Sequence, residues 1–279
     1  MTTDMSNNDA SFFRLLELGN RDLPDYPEAM AQLRRGDHQG ILVHDVYDGK
    51  VLEEVVDRLE QHDPPFVQTW FPGPFRSWFF GCNLNLTENL TYYFAESPRF
   101  AAQLAELFPN GQGVCDYLAS RLALLDNGRR FCAPPGPAPG SEYMFTTIRA
   151  HMEGGYIPAH VDNEQAVRPS FHHLQTLIEP HLVSFVACLA QPDDGGLLEI
   201  FDSKTEATAR SVANLDHVEK PNLDGVASVK IRIPTGAMAI VDSGVYMHRV
   251  SPIVGPRKRW TLCSFMALSR DHDAMYCWG

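Results

Sequence analysis

Residues 182–202, LVSFVACLAQPDDGGLLEIFD, decide how the rest of the chain is read. Residues 182–189 are a continuous apolar run, as expected of a buried strand. Pro192-Asp-Asp-Gly-Gly196 carries turn residues, and residues 197–202 read as a second strand. Working outward, short strands follow at 229–233, 237–241 and 260–268, after a polar, irregular excursion over 203–227. Upstream, 143–151 reads as a strand, Gly154-Gly155 as a turn and 159–163 as a short extended piece. Many short strands separated by turn signals predict a barrel or sandwich.

Before the Pro/Gly linker at 133–140 the texture is helical. Residues 50–62 carry apolar side chains at helical spacing, and further helices are expected at 27–35, 97–108 and 114–126, with a strand at 40–46. The stretch 64–80, PPFVQTWFPGPFRSWFF, reads as a loop whose aromatics wall a pocket. The expected fold class is α+β with a mainly β core. An N-terminal helical and loop region, 1–140, packs on a β core, 141–279, as one structural domain overall. The first dozen residues are expected to form a mobile arm.

Composition narrows the function. The chain has 279 residues, 44% of them apolar, and a formal net charge of -12. Such a surface repels nucleic-acid phosphate, and the only basic run is Arg257-Lys258-Arg259. No stretch approaches the 18 or so apolar residues of a membrane span. Six cysteines lie scattered without a CxxC pair, which argues against a disulfide framework or thiolate zinc site and for a reducing cytoplasm.

The chemistry-bearing motif is His160-Val161-Asp162. On a strand, residues two apart point to one face, so an imidazole and a carboxylate can reach one ion. His248 lies 86 residues after Asp162. Two histidines and one carboxylate on one face of a metal are the facial triad of Fe(II) oxygenases, with open positions for co-substrate and O2. Arg259 stands 11 residues after His248, and Thr261 two further on faces the same way. A guanidinium fork beside a hydroxyl suits a carboxylate. Arg257 shares that face by alternation and is the rival.

Together these residues resemble the 2-oxoglutarate/Fe(II)-dependent dioxygenase superfamily. The likeness covers roughly 143–268, including IRAHMEGGYIPAHVDN (148–163), PTGAMAIVDSGVYMHRV (234–250) and HRVSPIVGPRKRWTLCSF (248–265), and extends to ILVHDVYDGKVLEEVVDRL (41–59). These look like the segments of prolyl-hydroxylase-like members. The resemblance implies a double-stranded β-helix (a jelly-roll or cupin-like core). It implies Fe(II) on His160, Asp162 and His248, and 2-oxoglutarate on Arg259, with Thr261 and Ser184 beside it. Succinate and CO2 would be released as a C–H bond is oxidised. Cys188 stands where such members place a Tyr. Halogenases of the superfamily carry Gly or Ala where Asp162 stands, freeing a position for chloride; the carboxylate points to hydroxylation, desaturation or a related oxidation.

Arg76, Asn163 and Trp278 are candidate substrate residues, and Glu164 and Arg168 follow the metal motif directly. The C-terminal aromatics are expected to close the site or to meet a partner subunit in a homodimer. The expected substrate is a small polar, amino-acid-like metabolite. A peptidyl hydroxylase and a non-catalytic cupin-like metal-binding or sensing protein are the alternatives.

Overall fold

A computed structural model describes residues 12–71, 73–108, 114–163, 168–204 and 222–279. The strand Val183–Ala190 separates two cores. Phe185, Ala187 and Leu189 enter a large one shared with the helices Gly49–Glu60, Leu90–Leu107 and Val114–Leu124. Cys188 and Val186 enter a second, with Leu42, Leu198, Ile200 and Val241. Both faces are covered, so the strand reads as an unbroken apolar run.

Among the described residues the major sheet has ten strands. Its main path runs Leu15–Gly19, Gly40–His44, Met238–Val241, Val183–Ala190, Arg259–Leu268, Thr147–His151, Ser77–Phe80 and Gln68–Phe71. Ala274–Trp278 pairs with Arg259–Leu268 and carries Arg130–Cys132 on its other edge. A four-stranded sheet, Ser228–Ile231, Leu198–Lys204, Tyr246–Val250 and Ile157–His160, faces it across the second core. This is the double-stranded β-helix, with helices packed on the outer side of the major sheet.

The Asp194–Gly195 and Ile253–Val254 pair closes one end, where the acidic Gly-Gly turn was read. The turn needs its glycines. Gly195 and Gly196 have φ of 70° and 64°, a region costly for residues with a Cβ. A Cβ on Gly195 would collide with the Pro252 carbonyl, and one on Gly196 would lie 2.9 Å from Arg259 Cδ.

The N-terminal stretch is less helical than expected. Leu15–Gly19 is a strand, parallel to Gly40–His44. The aromatic loop 64–80 contains a hairpin, Gln68–Phe71 with Ser77–Phe80, that extends the major sheet through Thr147–His151. The helix expected at 97–108 starts at Leu90 and continues through Pro98. Asn89 caps it by accepting from the Tyr92 N–H, and Tyr93, Ser97, Phe100, Leu104 and Leu107 keep one buried face across the proline. The C-terminal aromatics form a sheet strand, not a tail. The expected mobile arm lies almost wholly outside the described residues, as does most of the 203–227 excursion. Among the described residues no helix is long and apolar enough to cross a membrane.

Candidate active site

His160 and His248 are direct cross-strand partners in the smaller sheet. Their rings stand 4.3 Å apart, centroid to centroid. Asp162 reaches them by a different route from the one alternation gives. The strand ends at His160, and Asp162 sits in the turn beyond, fixed by its N–H donating to the Ser243 carbonyl at 3.0 Å. Its Oδ1 lies 3.5 Å from His160 Nε2 and 3.8 Å from His248 Nε2.

The tautomers follow from the partners. His160 Nδ1 lies 2.8 Å from the Pro158 carbonyl and His248 Nδ1 lies 3.0 Å from the Tyr246 carbonyl. A carbonyl only accepts, so both Nδ1 atoms carry a proton, and in the neutral rings the lone pair a metal ion needs is on Nε2. Burial pushes the Asp162 carboxyl up, but His160 and His248 beside it outweigh that and hold it below its usual range. Burial, then the neighbouring His160, brings His248 down to about 4, so it is neutral near pH 7. All three ligand atoms lie within 4.8 Å of one another. Two imidazoles held through Nδ1 and an ionised carboxylate so placed fit a divalent iron with positions left open.

A cavity of about 270 Å³ opens beside this cluster. Its wall is mainly apolar: Phe71, Phe75 and Phe79 from the hairpin, Leu86, Ile157 and Phe265 among others. Ser184 lines it, as do Arg149 and Arg168. Asp162 is the one acid in the wall among the described residues.

Arg259 is 4% exposed on the inner face of the major sheet, while Arg257 is exposed and its backbone N–H donates to Asp193. Lys258 turns away to Glu60. Thr261 is fully buried next to Cys188 and receives the Cys263 thiol at 3.3 Å. Neither Arg259 nor Thr261 forms part of the cavity wall; Cys263, on the same face, does. Across the neighbouring strands stand His151, opposite Arg259, and Ser77, opposite His151. Both are fully buried, and Ser77 Oγ and both His151 ring nitrogens have no hydrogen-bond partner among the described residues. Burial, then Arg149 and Arg259, pushes His151 well below the usual imidazole range, so it is neutral.

The remaining candidates are not gathered here. Arg76 is exposed beside Gly154; its loop serves the cavity through the three phenylalanines instead. Asn163 is half-buried against Gly244, outside the wall. Trp278 is 1% exposed behind Phe265, its ring 6.2 Å away, so it supports the wall without lining it. Glu164 lies outside the described residues. His173 stacks on Tyr143, and His181 bonds Asp242 at 2.8 Å. Sequence reasoning missed Arg149 and His151. Both lie on Thr147–His151, two residues apart, and alternation along that strand was the available signal.

No curated protein matches the chain by sequence. Among solved structures, two crystal structures of a novel N-substituted L-amino acid dioxygenase from Burkholderia ambifaria are similar in fold. The complex with alpha-KG (2-oxoglutarate) gives a TM-score of 0.55 at 13% identity, and the other structure gives 0.54 at 12%; in each, 90% of both chains is covered. The family described as the carrier-protein-independent halogenase WelO5 matches residues 12–279. With that span covering nearly the whole chain, this protein belongs to the WelO5 family of iron- and 2-oxoglutarate-dependent oxygenases.

Proposed function

We propose that this member of the family hydroxylates, or otherwise oxidises, a C–H bond of a small molecule, and does not halogenate. The observation that carries the reading is the Asp162 carboxylate, whose Oδ1 faces both Nε2 atoms at 3.5 and 3.8 Å. It would supply the third protein ligand to the metal, the position halogenases of the superfamily leave to chloride.

In this reading His160, Asp162 and His248 hold Fe(II). Arg259 holds the distal carboxylate of 2-oxoglutarate, with Thr261 and the neutral His151 and Ser77 as hydrogen-bond donors. Ser184 faces the co-substrate from the next strand. Bound there, iron supplies the activation of O2 against 2-oxoglutarate that oxidises the substrate and releases succinate and CO2. The chain's own part is to fix ligand geometry, hold charge and exclude water. The backbone carbonyls of Pro158 and Tyr246 lock the imidazoles, and Phe71, Phe75 and Phe79 screen the site. A largely apolar cavity of about 270 Å³ favours a small molecule over a peptide.

The test supplies Fe(II), ascorbate, O2, chloride and 2-oxoglutarate and follows uncoupled succinate release. Succinate above a metal-free control is expected. Its absence at saturating iron would leave a binding or sensing protein as the better reading. Chlorinated products with any accepted substrate would overturn the assignment against halogenation.

A further inference from the structure

We propose that the substrate is an organic acid, with its carboxylate held by Arg168 and an apolar body against the hairpin phenylalanines. This deepens the oxygenase reading above and rests on it.

Arg168 lines the cavity and has one fixed arm. Its Nη1 donates to the Asn85 carbonyl at 2.6 Å, which holds the guanidinium in place. Its Nε is buried and has no hydrogen-bond partner among the described residues. The same holds for Nε of Arg149, whose guanidinium lies 4.3 Å over the Phe79 ring. Burial lowers both side chains' proton affinity, and for Arg168 no charge among the described residues works against it. An arginine stays charged regardless. The Arg149 guanidinium is buried and Arg168 half-buried, and among the described residues no carboxylate pairs with either; a charge so placed without a counter-ion is costly, so the pair suits an anion.

Charge bookkeeping separates co-substrate from substrate. Iron's two positive charges and Arg259 are balanced by Asp162 and the two carboxylates of 2-oxoglutarate. Arg149 and Arg168 are then two cations in the wall, and no acid but Asp162 stands there among the described residues. A neutral or cationic substrate would leave both uncompensated. A carboxylate meets a guanidinium bidentately, and the Asn85 bond occupies one of the three Arg168 nitrogens. Arg149, on the ring of Phe79, adds field from behind. The rest of the wall offers Phe71, Phe75, Leu86 and Ile157 to an apolar body.

The test uses the protein loaded with Mn(II) and 2-oxoglutarate without turnover, titrated by calorimetry with 3-phenylpropionate and with 3-phenylpropanamide, its uncharged isostere. Acid binding at least tenfold tighter than amide is expected. Arg168→Met, which keeps the apolar stem, should remove most of that preference while leaving 2-oxoglutarate affinity and the melting temperature within error. Arg168→Lys keeps a charge without the fork and should fall between. Equal binding of acid and amide, binding of neither, or an unchanged preference in both variants would overturn the proposal. Failure of 2-oxoglutarate itself to bind would instead strike the oxygenase reading.

Discussion

Replacing Arg259 with Ala tests the co-substrate contact proposed for it. The guanidinium is 4% exposed, and among the described residues no carboxylate pairs with it. Truncating one partner of a buried, hydrogen-bonded charge pair costs on the order of 2 to 5 kcal/mol. Each 1.4 kcal/mol is about tenfold in affinity, so the range is roughly 30-fold to several thousand-fold. Arg149 remains on the same inner face, and His151 and Ser77 remain as donors, which places the expected loss toward the lower end. Arg257→Ala should change little, because that side chain is exposed and only its backbone meets Asp193. Arg259→Lys should fall between, restoring charge without the fork. The assay is anaerobic titration of the Fe(II) protein with 2-oxoglutarate, followed by the metal-to-ligand absorption band. Iron affinity, measured without co-substrate, should be unchanged. A constant for Arg259→Ala within threefold of wild type, or a crippled Arg257→Ala, would refute the reasoning.

Further outcomes are expected at the metal. His160→Ala and His248→Ala should each weaken Fe(II) binding sharply by competitive chelator titration; an unimpaired His248→Ala protein would remove it from the ligand set. Asp162→Gly should lose hydroxylation and open a coordination position while still binding 2-oxoglutarate through Arg259, and wild-type turnover in that variant would mean the carboxylate is no ligand. Acid should destabilise the metal-free protein. With His248 lowered to about 4 in the fold, its neutral form is favoured and stability falls as pH drops below 6.5 toward 4. From pH 7 to 5 that single group contributes a loss of about 2 kcal/mol, to be read from denaturant midpoints in chelator; a flat profile would contradict the burial argument. Gly196→Ala should weaken 2-oxoglutarate binding by pressing on the Arg259 stem, and a variant with normal affinity would show that this stem has room to move.

What was legible in the sequence follows what is local. The His160/Asp162 spacing and the apolar run at 182–189 announce themselves along the chain. So does the alternation that puts Arg259 and Thr261 on one face. The structure discriminates Arg259 from Arg257 by burial, which alternation could not do. Arg149 and His151 were missed because a lone arginine or histidine on a short strand carries no signal until Ser77–Phe80 and Arg259–Leu268 lie on either side of it. The hairpin was hidden by its Pro-Gly-Pro turn. Leu15–Gly19 was hidden because a short edge strand, paired on one side only, has little pattern to read. Ala274–Trp278 looked like a tail because aromatics at a chain end have no visible partner until the strands beside them are known.

The hairpin Gln68–Phe80 has a consequence of its own. The triad is carried by the smaller sheet and its turn, and Arg259 by the major sheet, yet three of the largest side chains in the cavity wall come from an edge of the major sheet. That edge pairs with one neighbour only, through Thr147–His151. The phenylalanines on it can therefore be exchanged with little effect on the strands that carry the proposed metal ligands. Selectivity and reaction type are separable parts of this architecture. Libraries varied at Phe71, Phe75 and Phe79 should yield enzymes that accept different molecules while keeping one chemistry.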